Sequence, residues 1–373
     1  MNLSHLIKHS LLTLLAVATL PSCSMMETDL SGCPTGLYVS FKYDYNVQRA
    51  DMFNDHVGSV DVYVFDENNR FVMQKSAENT PQGTPLRNHG FYLHFNEQEL
   101  PAGNYRLLAL AQQNGYEASL ATPGAKFRRH ALKPGDTIEQ LSLTLDREAV
   151  SDEGTARVPH NNLPLDTVWA TRNPELHHVT LRIGCPTRDT LSLVRNTKQL
   201  NITLRQTEEP EALSHEDFDV RITDRNGRLL YDNSTDPNDT PLLYTPYAQW
   251  TTEWNADSQA AAPRTQATLS RTAHYEFFLN RLVFHDSSND NARLVITNRQ
   301  TGQVAADIDL TRILSDGRNC FELQNYSPQE FLDREYQYSL DFILTDGAWR
   351  EMTLRISIMD WAKHYQQVNL GPI

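Results

Sequence analysis

The residue whose surroundings most clearly announce chemistry is Cys23, which closes the run Leu20-Pro21-Ser22-Cys23. An apolar stretch of ten residues (11–20, LLTLLAVATL) lies directly before that run, and Lys8, His5 and His9 precede the stretch. Ten residues are too few to cross a bilayer core of about 30 Å, which takes roughly 20. They suit the apolar region of a secretory signal. An aliphatic residue, two further positions ending in a small one, and then cysteine is the pattern of a bacterial lipobox, whose cysteine is acylated. Pro21 is an unusual occupant of it. The competing arrangement is ordinary signal cleavage after Ala16-Val17-Ala18, which leaves Cys23 a plain thiol. Each buried CH₂ of an acyl chain, palmitate among them, contributes about 0.8 kcal/mol, so several chains hold a protein firmly to a membrane. The expectation is a lipoprotein signal peptide over 1–22, lipid on Cys23, and a polar, slightly acidic tether over 23–33.

Other reactive residue types are present without the spacing that makes a site. Cys33, Cys185 and Cys320 accompany Cys23, and no pair is spaced C-x-x-C, so zinc-ribbon and thioredoxin-like chemistry have no support. With Cys23 consumed by lipid, three thiols allow one disulfide and one free thiol, or none paired. His177 and His178 are adjacent, so on a strand they point to opposite faces and cannot share one metal. Asp51, Asp55 and His56 gather around Phe53, where carboxylates in a loop are ordinarily solvated. Tyr244, Tyr247, Trp250 and Trp254 crowd residues 241–254; such aromatics either stack on sugar rings or seal a sandwich edge. There is no G-x-S-x-G, H-E-x-x-H, Walker loop or G-x-G-x-x-G. The expectation is a non-enzymatic protein with no catalytic residues, no cofactor and no metal.

The elements that carry these residues are strands. In Leu37-Tyr38-Val39-Ser40-Phe41-Lys42-Tyr43-Asp44-Tyr45 the odd positions are apolar or aromatic and the even ones largely polar. Val60, Val62 and Val64 alternate with Asp61, Tyr63 and Phe65, and Asn68-Asn69 predicts a hairpin into residues 71–73. Residues 92–95 and 105–111 flank the turn Pro101-Ala102-Gly103-Asn104. Strands follow at 140–145, 200–204, 220–223, 274–279, 294–296, 304–310, 338–344, 352–358 and 367–370. A long loop is expected over 151–164. Asn226-Gly227 predicts a second hairpin, returning through 228–231. One helix is expected, because Ser327-Pro328-Gln329-Glu330 is a capping box with proline at the first helical position. Many short strands with few helices read as β-sandwiches, and 373 residues are natural for two. A net charge of −14 and a pI of about 5.4 argue against nucleic acid or an anionic lipid surface as the main partner.

The run Cys33-Pro34-x-Gly36-Leu37-x-Val39-x-Phe41-x-Tyr43-Asp44-Tyr45-Asn46, then Ala50-Asp51-Met52-Phe53 and Val60-x-Val62-Tyr63-Val64-Phe65-Asp66, resembles the FimB-like fimbrial anchor family of Bacteroidales. Leu100-Pro101-Ala102-Gly103-x-Tyr105, Leu191-Ser192-Leu193-Val194-Arg195-Asn196 with Ile202-x-Leu204, and Trp361 with Val368-x-Leu370 fit the same family. The resemblance implies an all-β chain of two transthyretin-like β-sandwich domains in tandem with few short helices. They would occupy 34–184 and 188–373 and meet near 184–189. It implies the anchor subunit of a type V pilus, lipid-anchored on the cell outer membrane and exposed at the cell surface. The implied partners are the membrane, through lipid on Cys23, and a fimbrial stalk subunit (fimbrillin), through strand complementation.

In strand complementation an extended segment of one chain fills an edge or groove of its neighbour, and main-chain hydrogen bonds supply affinity. Stalk subunits of the family lose their first strand by proteolysis after a basic residue. Arg49 stands where such a cut would fall, but cutting there would sever the Cys23 tether, so it reads as an exposed loop arginine. The C-terminus, Leu370-Gly371-Pro372-Ile373, offers no long spare tail, so any donated segment would be the last strand itself. The expected function is therefore a lipid-anchored fimbrial base that fastens the stalk and limits its length. The rival is a surface lipoprotein that binds glycans or adhesion targets as an accessory or tip subunit, using the aromatics of 244–254.

Overall fold

A computed structural model of the protein describes residues 34–149, 154–255, 269–319, 322–345, 348–358 and 362–368. The first half contributes β1 (Gly36–Lys42), β2 (Ser59–Asp66), β3 (Phe71–Glu78), β4 (Tyr92–Phe95), β5 (Gly103–Gln112), β6 (Phe127–Arg129), β7 (Ser142–Leu145), β8 (Glu148–Ala149), β9 (Ala156–Arg157), β10 (Val168–Thr171), β11 (His178–Leu181) and β12 (Pro186–Arg195). The second contributes β13 (Lys198–Gln206), β14 (Phe218–Asp224), β15 (Arg228–Leu230), β16 (Leu242–Tyr244), β17 (Ala248–Asn255), β18 (Leu269–Leu279), β19 (Arg293–Asn298), β20 (Val304–Asp309), β21 (Gln337–Thr345), β22 (Ala348–Ile358) and β23 (Ala362–Val368). Helices are short: α1 (Phe53–His56), α2 (Tyr116–Leu120), α3 (Leu310–Ser315) and α4 (Pro328–Arg334). The protein is all-β, as its alternating pattern implies.

The first sandwich is one eight-stranded sheet folded on itself, in the order β3-β2-β5-β10-β12-β1-β4 with β11 beside β5. The fold line is β12, which pairs with β1 through residues 186–192 and with β10 through 193–195. Leu37, Val39 and Phe41 of β1 close onto Val60, Val62 and Val64 of β2 and Leu107 and Ala109 of β5. Strand β2 is covered on its second face too: Tyr63 and Phe65 join Phe71, Leu108, Ile138 and Leu141, and Asp61 is buried against Arg129. Asp61 thus faces a buried ion pair rather than solvent.

In the second sandwich the sheet β17-β18-β13-β21-β22-β23 faces the sheet β20-β19-β14-β16-β9-β8. Leu200, Ile202, Tyr275, Phe277, Leu340 and Phe342 from one layer meet Val220, Ile222, Leu294 and Ile296 from the other. Helix α4 starts where the capping signal places it, with the Ser327 hydroxyl accepting from the Glu330 amide at 3.1 Å. The Glu330 carboxylate turns along the helix to Arg334, at 3.0 Å.

Three expectations change. Asn226-Gly227 does not form a tight hairpin: β15 pairs with β7 rather than returning along β14. Asn226 is buried instead, its amide donating to the Arg281 carbonyl at 3.0 Å while its Oδ1 accepts from the Tyr244 hydroxyl at 2.6 Å. The strand expected over 304–310 ends at Asp309, whose side chain accepts from the Arg312 amide and starts α3. Residues 186–195 form β12 of the first sheet, whose Leu191 and Leu193 fill the first core. The chain passes from one sandwich to the other at Asn196-Thr197. The loop expected over 151–164 contains β9, which pairs in parallel with β16 of the second sandwich.

Candidate functional site

Cys23, the tether, Cys33, Cys320, Trp361 and residues 369–373 lie outside the described residues. Pro34 and Thr35 lead directly into β1. Gly36 has φ +81°, and a Cβ there would stand 2.3 Å from the Phe95 carbonyl oxygen, so only glycine fits this entry. Strand β1 is interior to its sheet, parallel to β12 on one side and antiparallel to β4 on the other. Burying Leu37, Val39 and Phe41 contributes roughly 5–9 kcal/mol before chain entropy. The groove that a missing first strand would open is filled by the chain's own.

The loop after β1 is tied down residue by residue. The Tyr43 and Phe53 amides donate to the Asp51 carboxylate, at 2.9 and 3.1 Å. The buried Asn46 amide donates to the Tyr43 and Ala50 carbonyls, at 3.0 and 2.8 Å. Asp51 therefore has a turn-forming role, and Asp55 and His56 lie on α1. Arg49 is exposed, with left-handed backbone (φ 54°), and its Nε donates to the Tyr326 hydroxyl at 3.1 Å. From there cations and rings alternate. Arg334 lies 4.7 Å from the Tyr326 ring and 4.0 Å from the Tyr45 ring, and Arg172 also lies over the Tyr45 ring, at 3.8 Å. This stack fastens the loop after the first strand to α4 of the second sandwich. The sequence reading missed it, since no spacing links Tyr45, Arg172, Tyr326 and Arg334.

Beside the stack the crossing between sandwiches is buried. Asn196 and Asn233 exchange reciprocal amide hydrogen bonds of 2.8 Å each. Lys198 Nζ, fully buried, donates to the carbonyls of Glu335 (2.8 Å), Arg195 (3.2 Å) and Asp333 (3.4 Å). It thereby caps the C-terminal end of α4. Desolvation draws the Lys198 pKa down to about 7 and pushes the Glu335 carboxyl up to about 7. One Glu335 oxygen accepts from the Tyr336 and Gln337 amides.

The aromatic stretch divides. Tyr244 is in the core, and the Tyr247 hydroxyl donates to Glu276 at 2.6 Å. Trp250 and Trp254 stand on one face of the edge strand β17, 38% and 50% exposed. The Trp250 ring stacks on His274 at 5.0 Å with planes 13° apart, and the Thr252 hydroxyl lies 2.8 Å from His274 Nε2. His177 bonds to Asp189 at 3.1 Å, whereas His178 is exposed on β11, so the two histidines do not converge. No three His, Cys, Asp or Glu side chains are grouped to hold a metal ion among the described residues. Cys185 is exposed and free among them. No helix among them is long and apolar enough to cross a membrane.

Two β-sandwiches in tandem, with the first strand seated inside its sheet, define the class of the protein. Comparison with known proteins makes this specific. The profile of the family described as fimbrillin-A associated anchor proteins Mfa1 and Mfa2 matches residues 30–367, and the chain belongs to that family. A candidate polysaccharide-binding protein of Bacteroides thetaiotaomicron is 26% identical, with a TM-score of 0.63 over 86% of this chain and 96% of that one. A candidate adhesin of the same organism is 23% identical, with a TM-score of 0.68 over 92% of this chain and 100% of the other. The fimbrial anchor protein Mfa2 of Porphyromonas gingivalis shares the fold at 15% identity, with a TM-score of 0.56 over 86% and 97% of the two chains. No curated protein matches.

Proposed function

We propose that this protein is the anchor subunit at the base of a fimbria, an outer-membrane lipoprotein held by acyl chains on Cys23 and fastened to the stalk by strand complementation. The observation that carries the reading is the first strand: it follows the tether directly, sits between β12 and β4, and is secured beyond its end by the Arg–Tyr stack. An anchor must keep the segment that joins it to the membrane. Family membership supports a fimbrial role. The two sandwiches, parted at Asn196-Thr197, are its two domains in this reading.

Cys23→Ala tests it. The expected result is a folded protein released from cells, alone or with whole fimbriae, and a mature N-terminus without lipid mass on the wild type would refute the attachment. Fimbriae retained on Cys23→Ala cells would refute the anchor role.

A second reading, a glycan- or adhesin-type binding lipoprotein acting as an accessory or tip subunit, is favoured by Trp250 and Trp254 exposed side by side on β17. The relative described as a candidate polysaccharide-binding protein lends it support.

A further inference from the structure

We propose that the outer face of the sheet at β17 is an oligosaccharide site, in which Trp250 and Trp254 stack on separate sugar rings of one uncharged glycan chain. The proposal rests on the second reading of function and gives it a place and a ligand class.

Trp250 and Trp254 are four residues apart on one face of a strand, which separates them by about 13 Å. That is longer than a single sugar ring, so a chain of linked rings is needed to reach both. Trp250 is held in place from behind: one face of its indole rests on the His274 imidazole. Strand β17 has no neighbour on its other side among the described residues, which leaves the opposite face of the ring open. An aromatic face suits the C–H side of a pyranose, and it is rigid before the ligand arrives.

Polar groups accompany the rings. Thr252 lies between the two tryptophans and meets His274. The register runs from Trp250 through His274 and Thr203 to Asp341 in one line across four strands. Burial lowers the His274 pKa, so the group behind Trp250 is a neutral imidazole at neutral pH. A hydroxyl and a neutral ring are partners that suit sugar hydroxyls. The centre of a protein interface would instead surround the tryptophans with apolar side chains, whereas their cross-strand partners here are His274 and Ser270, with the Thr252–Thr272 pair between them. The chain's net charge of −14 disfavours polyanionic glycans.

The test is affinity electrophoresis of the full chain, purified in detergent, in native gels cast with galactomannan, xyloglucan or polygalacturonate. Retardation by at least one of the two neutral polysaccharides and none by polygalacturonate is expected. Trp250→Ala and Trp254→Ala should each weaken it by about tenfold. Thr252→Glu, an exposed change that spares the rings, should weaken it as well, and Tyr92→Ala on the first sandwich should leave it unchanged. Melting temperatures of all variants verify folding. Retardation that survives both tryptophan changes and Thr252→Glu overturns this site but keeps the glycan reading. A wild-type chain retarded by neither neutral polysaccharide overturns both, and loss of stalk binding in the tryptophan variants would then reassign the face to protein. None of these outcomes bears on Cys23→Ala.

Discussion

Removing the Arg334 guanidinium should expose the peptide bond after Arg49 to proteolysis. Arg334 lies between two rings, at 4.0 Å from Tyr45 and 4.7 Å from Tyr326, and its side chain is only 16% exposed. A cation–π contact contributes about 0.5–1 kcal/mol in the open and about 2 when desolvated, and this half-covered pair falls between, at roughly 2–3 kcal/mol together. The ion pair to Glu330, four residues back on α4, adds a few tenths. Arg334→Met keeps the stem and the packing but loses these contacts. Local opening of the loop should then become about 30- to 100-fold more frequent, since each 1.4 kcal/mol is a factor of ten. Where opening precedes cleavage and closes quickly, the cutting rate follows that population. Limited trypsinolysis of folded protein, read by mass spectrometry at the Arg49–Ala50 bond, measures it directly. The wild type should be cut there far more slowly than an unfolded peptide, and Arg334→Met about 30-fold or more faster than the wild type. Equal rates in the two proteins would show that the stack does not hold the loop.

Two further changes probe the buried polar groups. Lys198→Met removes a donor from the carbonyls of Arg195, Asp333 and Glu335, of which the last keeps the Tyr338 hydroxyl at 3.3 Å. At about 1–3 kcal/mol for an unsatisfied buried group, a drop in stability of at least about 2 kcal/mol is expected in urea titration, and a change under 1 kcal/mol would refute the capping role. Asp224, at the end of β14, has one carboxylate oxygen closed off from water with no partner among the described residues, and desolvation raises its pKa to about 7. From the ordinary carboxylate range up to about pH 7 the folded chain keeps a proton that the unfolded chain releases, so stability on this account falls as pH rises through that window. Asp224→Asn should therefore gain on the wild type at pH 8 and not at pH 5; an equal difference at both pH values would refute it.

Much of the strand plan was legible because period-two alternation reports burial of one face. Leu37, Val39 and Phe41 fill the core as their spacing implies, and Asn69 takes the left-handed backbone that its hairpin needs (φ 57°). Where a strand is covered on both sides, alternation loses its meaning, as in β2, whose Tyr63 and Phe65 enter a second cluster. Asn226-Gly227 misleads for a different reason. Its local turn preference is worth less than two buried hydrogen bonds to Asn226, and a Cβ on Gly227 would meet Leu242 at 2.7 Å. The aromatic stretch was legible as a candidate but not as a division between core and face, because Tyr244 and Trp250 fall on different strands of different sheets. The Arg–Tyr stack and the Lys198 cap join residues up to 289 positions apart, as Tyr45 and Arg334 show, and no local pattern encodes such pairs.

The interleaving of the halves bears on the load that the proposed anchor function would place on this fold. Strands β8 and β9 leave the first half to complete a sheet of the second, and β15 of the second half pairs with β7 of the first. A cut between residues 184 and 189 would strip each half of strands it uses, so the sandwiches share their stability. The strand directions then set how tension is carried. A pull on the tether draws β1 toward its N-terminus, while a load on the second sandwich draws its parallel neighbour β12 toward its C-terminus. Seven register pairs join β1 to β12, and opposed pulls on parallel strands load all of them together rather than one after another. The load then crosses the buried Asn196-Thr197 into β13, which again has a parallel partner, β21. A hairpin at either step would unzip pair by pair under the same force. Parallel pairing on both sides of the crossing is thus a geometry that suits a chain loaded through its first strand, as the proposed function requires.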